Sequence, residues 1–184
     1  MALEITEIQN KLIATFGDDV FNFIQDRDIF TFEIPAEKLT ATILFLKNDE
    51  TLRFNFLTDL CAIHYPDNEP TRQFAMVYHM HNWVDNVRIR IKSFLHGEKP
   101  EIKSLSNIFL SANWMERETY DFYGINFIGH PQLKRILNMD EMESFPMRKE
   151  FPMEDQGRTD KDDRFFGRTV ANRPVDDQFP INKI

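Results

Sequence analysis

The spacing of apolar residues predicts that the chain opens with a helix, a hairpin and a second helix. Apolar positions recur at helical intervals from Leu3 to Ile13 and again from Glu37 to Lys47. Between these segments, the apolar runs Val20 to Ile24 and Ile29 to Ile34 are separated by four polar residues, a pattern typical of two paired strands. Each of the four segments can bury one face in a common core.

Three longer strand candidates and a third helix follow. The strands are expected at Leu52–His64, Phe74–Trp83 and Val87–Leu95, and the last of them alternates between apolar and basic side chains. The helix is expected from Ser111 to Tyr123, with Ser111 as its N-cap and Gly124 as its C-terminal stop. Strands joined by short loops usually pair antiparallel. The elements therefore predict an α+β fold with a mixed, largely antiparallel sheet covered by helices.

The pattern of the chain changes after Leu137. Pro and Gly residues interrupt the remaining sequence at intervals too short for long helices or strands, yet Phe165, Phe166 and Phe179 recur within it. A disordered tail would be poor in such residues. We therefore expect two parts, an α+β body at residues 1–137 and a long extended C-terminal arm at residues 138–184 that wraps a partner subunit.

Composition and charge argue against several classes of protein. The net charge is −8, and the part from Arg148 to Ile184 holds eight basic and eight acidic residues, so the acidity belongs to the preceding chain. An acidic chain is not typical of nucleic-acid binding, which needs clustered Lys and Arg. The single cysteine, Cys61, rules out an internal disulfide and a cluster held by four cysteines of this chain, and its apolar surroundings indicate an inert thiol. No apolar run has the length of a membrane span and the first residues do not resemble a signal peptide, so we expect a cytoplasmic location.

The densest polar cluster lies on the third predicted helix, at Glu116, Arg117, Glu118 and Asp121. Helical spacing places Trp114 on one face with Arg117, Glu118 and Asp121. Two carboxylates one turn apart can perform acid–base chemistry or bind a divalent metal. Because no His or Cys stands at ligand spacing, another interpretation is favoured, in which Arg117 and Asp121 neutralise each other and the helix end docks on another element.

The histidines also have a simple interpretation. His79 and His81 face the same side of a strand, but two ligands do not close a zinc site, and surface positions are expected for both. His130 lies between Gly129 and Pro131, where a turn histidine is expected to hydrogen-bond its own backbone.

Two basic pairs, Lys134-Arg135 and Arg148-Lys149, are typical of salt bridges at a surface or at a contact between subunits. The chain has no glycine-rich phosphate loop and no Gly-x-Ser-x-Gly motif, so the familiar nucleotide-binding and hydrolase patterns are missing from the sequence.

The residues from Asn113 to Pro152 form a pattern with fixed offsets. A Glu-Arg-Glu triplet precedes Asp, an aromatic residue and Gly, and the pattern continues with Gly-His-Pro, Arg-Ile-Leu, and a Pro-x-Arg-Lys element that ends in an aromatic residue and Pro. This pattern strongly resembles the signature of the thirty-kilodalton subunit family of respiratory complex I, the NADH:quinone oxidoreductase. The matching positions, with Trp114 added as an expected interface residue, are Glu116, Arg117, Glu118, Asp121, Tyr123, Gly124, Gly129, His130, Pro131, Arg135, Ile136, Leu137, Pro146, Arg148, Lys149, Phe151 and Pro152.

The chain departs from the family pattern at four positions. It has Met142, Ser144 and Phe145 where the family usually has Trp, Gly and His, and Glu150 where the family usually has Asp. These differences concern the turn geometry around residues 142–145.

The resemblance implies a non-redox structural and assembly subunit in the peripheral arm of a proton-translocating NADH:quinone oxidoreductase. It implies contacts with subunits D, B and I, chiefly with the first of these, which is the large quinone-site subunit. It also implies that partner subunits hold FMN and the iron–sulfur clusters, that NADH and quinone are substrates of the whole complex, and that this chain holds no cofactor, metal or catalytic residue. The location implied is the cytoplasmic side of the inner membrane, on its periphery and without a membrane span.

Three other functions stay open from the sequence. The first is the equivalent scaffold subunit of a membrane-bound hydrogenase or formate hydrogenlyase, since these enzymes resemble complex I. The second is a small enzyme that uses Glu118 and Asp121. The third is an acidic adaptor protein with no link to redox chemistry.

Overall fold

The computed structural model describes residues 3–27, 29–142 and 144–151 of the chain. The elements in chain order are helix α1 (Ile5–Phe16), strands β1 (Phe21–Asp26) and β2 (Ile29–Glu33), helix α2 (Ala36–Asn48), strands β3 (Phe56–His64), β4 (Phe74–Asn82), β5 (Val87–Leu95) and β6 (Glu101–Lys103), helix α3 (Ala112–Tyr123) and strand β7 (Asn126–Ile128). No helix within these described ranges is long and apolar enough to cross a bilayer.

Five strands form one sheet in the order β1-β2-β5-β4-β3. Every neighbouring pair in this sheet is antiparallel except β2 and β5, which pair in parallel from Phe30 opposite Ile89 to Glu33 opposite Lys92. Strands β6 and β7 form a separate parallel pair. The predicted α+β fold with a mixed, largely antiparallel sheet is confirmed.

The core lies between the helices and one face of the sheet. Alternate side chains of β4, namely Met76, Tyr78 and Met80, are fully buried and belong to this core. Ile8 of α1 and Ile43 of α2 belong to the same apolar cluster. Both helices therefore bury one apolar stripe against the sheet, as their apolar spacing predicts.

Two local predictions differ from the structure in detail, and one pair of strands was not predicted. Strand β3 begins at Phe56 rather than Leu52, because the preceding residues run as a loop in which Leu52 and Phe54 are nevertheless buried. Ser111 stands at the N-cap position of α3 as expected, but it has helical backbone angles and its side chain makes no capping hydrogen bond. Strands β6 and β7 are only three residues long and leave no period in the sequence.

The predicted boundary between body and arm falls inside a folded region. Residues up to Phe151 belong to one compact unit, so the first part of the predicted arm, residues 138–151, lies in the same unit as the body. Residues 152–184 lie outside the described residues, and the extended arm stays a prediction there.

Candidate subunit interface

The residues of the sequence signature gather where α3 ends and the chain that follows it folds back. We call residues 133–142 and 144–151 the signature segment. Helix α3 ends at Gly124, which has a left-handed backbone (φ 68°) and donates its N–H to the Tyr120 carbonyl at 2.8 Å. This stop turns the chain into β7, after which the signature segment returns to the end of the helix.

Asp121 is the centre of this arrangement. Its fully buried carboxylate accepts hydrogen bonds from the backbone N–H groups of Ile136, Leu137 and Asn138 at 3.1, 2.8 and 3.0 Å. It also accepts from Asn138 Nδ2 at 3.0 Å and from Arg135 Nη1 at 2.9 Å. Burial alone would raise the pKa of Asp121, but these donors hold it well below its ordinary value. The carboxylate is therefore ionised and fully engaged in holding the start of the signature segment.

The ion pair differs from the one that helical spacing predicts. Asp121 pairs with Arg135 rather than with Arg117, so the predicted neutralisation within the helix is wrong. Arg117 instead donates to the carbonyl oxygens of Lys134 and Arg135, at 3.1 and 3.4 Å, and lies over the Trp114 ring at 4.9 Å. A carboxylate bound by five N–H donors has no free lone pair for a metal or a proton transfer. The docking interpretation of the helix end therefore fits its geometry.

Arg135 extends the contact along the signature segment. Besides Asp121, its guanidinium donates to the carbonyl oxygens of Met142 and Ser144 at 2.6 and 3.2 Å. Its side chain is only 8% exposed, and it lies 5.0 Å from the centre of the Phe145 ring. The planar guanidinium thus holds three parts of the chain at once, a role for which its fixed fork of donors is suited.

Phe145 and Arg148 fix the end of the signature segment. Arg148 donates to the Tyr123 carbonyl at 2.7 Å and lies between two rings, with its guanidinium 5.0 Å from the centre of Phe74 and 4.9 Å from the centre of Phe145. The Phe145 ring in turn lies against Gly124, where a Cβ atom would come within 2.5 Å of it. Gly124 is therefore required twice, by its left-handed backbone and by the approach of Phe145.

Two histidines make further contacts, one of them with the signature segment. The Lys149 N–H donates to His64 Nδ1 at 2.9 Å, and burial lowers the pKa of His64, which favours the neutral ring that can accept this bond. His130 accepts from the Gln132 N–H at 3.0 Å, so the predicted turn hydrogen bond is present, and its other ring nitrogen lies 3.1 Å from the Asn113 carbonyl.

Glu116 lies apart from this network, inside the body. Its carboxylate is fully buried and accepts hydrogen bonds from Ser104 Oγ and from the Leu105 N–H, both at 2.6 Å. No cation pairs with it among the described residues. Burial raises the pKa of Glu116 to about 6, and the hydrogen bonds reduce this rise. The fully buried Tyr78, whose own pKa burial raises, has a hydroxyl with no partner in the described part of the chain.

The remaining signature residues and candidate ligands occupy different surroundings. Trp114, Glu118, Gly129, Pro131 and Lys149 are exposed, Pro146 is half-buried, and Pro152 lies outside the described residues.

His79 accepts from Arg90 Nε at 2.9 Å, and His81 is buried beneath Trp83, so a surface position is wrong for His81. Burial raises the pKa of the half-buried Cys61. Residues 3–27, 29–142 and 144–151 contain no group of three His, Cys, Asp or Glu side chains that could hold a metal.

A set of apolar side chains remains exposed around the signature segment. Trp114 on α3 and Leu137, Met139 and Met147 on the signature segment all have large exposed fractions. Side chains of this type on a rigid support are typical of a contact surface. The charged signature residues thus act mainly inside the protein, where they hold this apolar surface in place.

Replacing Gly124 with Ala is expected to cost more stability than the same change at Gly129. Both glycines have positive φ, 68° and 85°, so each variant has backbone strain of about 1 kcal/mol. Only at Gly124 does the added Cβ meet the Phe145 ring, and overpacking of this kind adds about 1–3 kcal/mol. Urea unfolding of both variants measures the difference.

Phe145→Ala provides the control for this comparison. In that background the extra cost at Gly124 should disappear, because the ring that the new Cβ meets is gone. Equal losses of stability at Gly124 and Gly129 in the wild-type background would contradict the described packing of Phe145.

Glu116→Gln is expected to change how stability depends on pH. Because the pKa of Glu116 rises from 4.5 in the unfolded chain to about 6 in the folded protein, the folded state binds more protons between these values. The free energy of unfolding of the wild type therefore falls as pH rises through this window. The loss is about 2 kcal/mol, at 1.36 kcal/mol for each pH unit. Gln cannot ionise and should gain this amount over the wild type between pH 4 and pH 7.

The difference between the two proteins isolates Glu116. Asp49 and Asp121, whose pKa values are lowered despite burial, contribute stability that is lost as pH falls, and they do so equally in both proteins. Thermal unfolding from pH 4 to pH 7.5 gives the comparison, and parallel curves for wild type and Glu116→Gln would disprove the raised pKa.

Comparison with known proteins relates this geometry to a family. The family model of the 30 kDa subunit of respiratory-chain NADH dehydrogenase matches residues 32–157 of this chain. The NADH-quinone oxidoreductase of Rhizobium etli (strain CIAT 652) has a subunit, named C 2, that is 38% identical over 162 residues, which cover 88% of this chain and 83% of the relative. The subunit of the same enzyme that is named C in Roseiflexus sp. (strain RS-1) is 34% identical over 168 residues, which cover 90% of this chain and 95% of the relative.

Two solved structures have the same fold. A trypsin-resistant fragment of Nqo5 superposes with a TM-score of 0.57 at 27% identity, over 68% of this chain and 98% of the fragment. A chain of the membrane-bound sulfane sulfur reductase, an archaeal respiratory membrane complex, superposes with a TM-score of 0.69 over 80% of this chain and 85% of that chain. At 21% identity, the second likeness concerns the fold alone.

The mixed five-stranded sheet therefore places the chain in the α+β fold class of these two structures. Within this class, the chain belongs to the family of the 30 kDa subunit of respiratory-chain NADH dehydrogenase. The resemblance that the residues from Asn113 to Pro152 indicate is confirmed.

Proposed function

We propose that this chain is a non-redox scaffold subunit in the peripheral arm of a proton-translocating NADH:quinone oxidoreductase. In this role it contacts subunits D, B and I, and it braces the first of these, the large quinone-site subunit, while electrons pass from NADH to quinone. FMN and the iron–sulfur clusters then belong to partner subunits. The proposed location is the cytoplasmic side of the inner membrane, at its periphery.

The observation that carries the proposal is that two charged signature residues, Asp121 and Arg135, bind other parts of this same chain. Asp121 and Arg135 take part in eight hydrogen bonds of their side chains, and every one ties α3 to the signature segment or lies within that segment. Both side chains are therefore occupied in holding other parts of this chain. What the arrangement offers to another molecule is the exposed apolar surface of Trp114, Leu137 and Met139.

The contact surface proposed for the partner subunit contains the exposed signature residues. Trp114 and Lys149 are available there, while Arg117, Arg135 and Arg148 set its shape from within. Preorganisation of this kind favours permanent assembly, because little side-chain and loop entropy is lost when the partner binds. The predicted arm would then enlarge the contact.

Purification of the complex under native conditions tests the proposal. The full-length chain, tagged in its own organism, is isolated from solubilised membranes, and the copurifying proteins are identified by mass spectrometry. Subunits D, B and I together with NADH:quinone activity are the expected result. Hydrogenase or formate hydrogenlyase subunits would identify the related scaffold instead, and isolation of the chain without any quinone-site subunit would refute the proposal.

A further inference from the structure

A second exposed apolar surface lies at the turn between β4 and β5. Trp83 and Val84 are 62% and 66% exposed, and Phe56 at the start of β3 is 41% exposed. The rings of Phe56 and Trp83 pack edge to face, with their centres 5.3 Å apart. Phe56 and Trp83 thus form one exposed aromatic surface, and Val84 follows Trp83 in the chain; we call these three residues the Trp83 patch.

The backbone under the Trp83 patch is rigidly held. Asn82 is fully buried, and its side-chain oxygen accepts from the N–H groups of Val84 and Asp85 at 2.8 and 3.1 Å. Its side-chain nitrogen donates to the Leu52 carbonyl at 2.8 Å and to Asp85 at 2.9 Å. The buried His81 ring lies beneath Trp83, with centres 4.9 Å apart. An exposed tryptophan on such a support loses little conformational entropy on binding, as the dominant residues of interfaces do.

The patch is flanked by basic residues in a chain that is acidic as a whole. The sheet register places Arg88 beside His81, and His81 beside Phe56, so the exposed Arg88 lies on the same face as the patch. Arg53 is also exposed, and it lies 3.6 Å from the carboxylate of Asp85, which offsets its charge. Arg88 therefore supplies the positive charge beside the exposed aromatic rings, in a chain whose net charge is −8.

The Trp83 patch is separate from the contact surface of the signature segment. Arg148 of that segment contacts Phe74 at the first residue of β4, whereas Trp83 follows the last residue of the same strand. Nine strand residues span about 27 Å. The contact of Arg148 with the body and the Trp83 patch therefore lie at opposite ends of one strand.

We propose that the Trp83 patch is a second docking surface, which receives a protein partner that offers an apolar pocket edged by carboxylates. Trp83 and Val84 enter the pocket, and Arg88 meets its acidic edge. This inference rests on the proposed function only in taking the chain as a subunit of a larger assembly. It adds that the body has a docking surface separate from the one at the signature segment.

Photo-crosslinking at the patch tests this inference in the intact complex. The full-length chain carries the crosslinker p-benzoylphenylalanine at position 83, and a matched chain carries it at Ile13, an exposed apolar position on α1 (44% exposed). The expected product at position 83 joins a peptide of another subunit that contains apolar residues next to Asp or Glu. Crosslinks to lipid, to a second copy of this chain, or at no higher yield than at position 13 would each overturn the inference.

Substitution tests the chemistry of the same contact. Val84→Ser and Arg88→Glu, each made in the chain that carries the crosslinker at position 83, should lower the amount of the crosslinked partner per copy of this chain by about tenfold, the effect of 1.4 kcal/mol. Ile13→Ser should leave it unchanged. A chain that enters no complex at all would refute the proposed function, whereas normal complexes with no effect of the patch variants would refute this inference alone.

Discussion

Replacing Asp121 with Ala is expected to lower the free energy of unfolding by about 3–5 kcal/mol, as loss of one partner of a buried ion pair does. The change leaves the guanidinium of Arg135, 8% exposed, without its carboxylate and leaves the N–H groups of Ile136, Leu137 and Asn138 without their acceptor. Such a loss is a large part of the total stability of a domain of this size. Denaturant unfolding of the full chain measures it.

Glu118→Ala is the matched control for Asp121→Ala. Glu118 is a carboxylate on the same helix, but it is exposed, so its removal should change stability by no more than about 0.5 kcal/mol. Similar losses for both variants would mean that Asp121 does not hold the signature segment. The alternative hypothesis, in which Glu118 and Asp121 are catalytic residues, predicts instead that both Ala variants lose activity to a similar extent.

Ending the chain at Phe151 is expected to leave a folded body that is lost from the assembled complex. Among the described residues, the members of the buried apolar cluster lie between Leu3 and Phe127, and the truncation keeps all of these. The removed residues contain Phe165, Phe166 and Phe179, for which the sequence indicates burial on a partner. We expect cooperative unfolding to persist, and the amount of chain in the complex to fall by about tenfold or more.

A variant of full length separates the aromatic contacts from the length of the arm. Phe165→Ser with Phe166→Ser keeps all 184 residues and the charge, and it should lower incorporation in the same direction as the truncation. Quantitative mass spectrometry of purified complexes gives the ratio. Normal incorporation of the truncated chain would disprove the arm hypothesis.

The sequence predicts the elements whose periodicity is local. Strand β5 is found at Val87–Leu95 as expected, because alternation of apolar and basic residues leaves a clear period of two. The parallel pairing of β2 with β5 is less accessible, since these strands are separated in sequence by α2, β3 and β4. Such a pairing depends on how well each strand packs against every other possible partner strand.

The candidate site shows the same division between local and distant signals. Helical spacing places Arg117 next to Asp121, but the residue that pairs with Asp121 is Arg135, fourteen positions further along the chain. The basic pair that contains Arg135 is visible in the sequence, but its burial is not. The approach of Phe145 to Gly124 is equally hidden, because a glycine that ends a helix gives no sign of what fills the space beside it.

Arg117→Ala gives the most direct test of the claim that the signature holds a contact surface. Arg117 ties the exposed Trp114 ring to the carbonyl oxygens of Lys134 and Arg135, so its loss loosens the surface without removing any group from the core. The measurement is the amount of assembled complex in membranes together with NADH:quinone turnover per assembled complex. We predict about fivefold less complex, as expected for a loss of 1–2 kcal/mol, with unchanged turnover in what assembles. A normal amount of complex with reduced turnover would contradict the scaffold role.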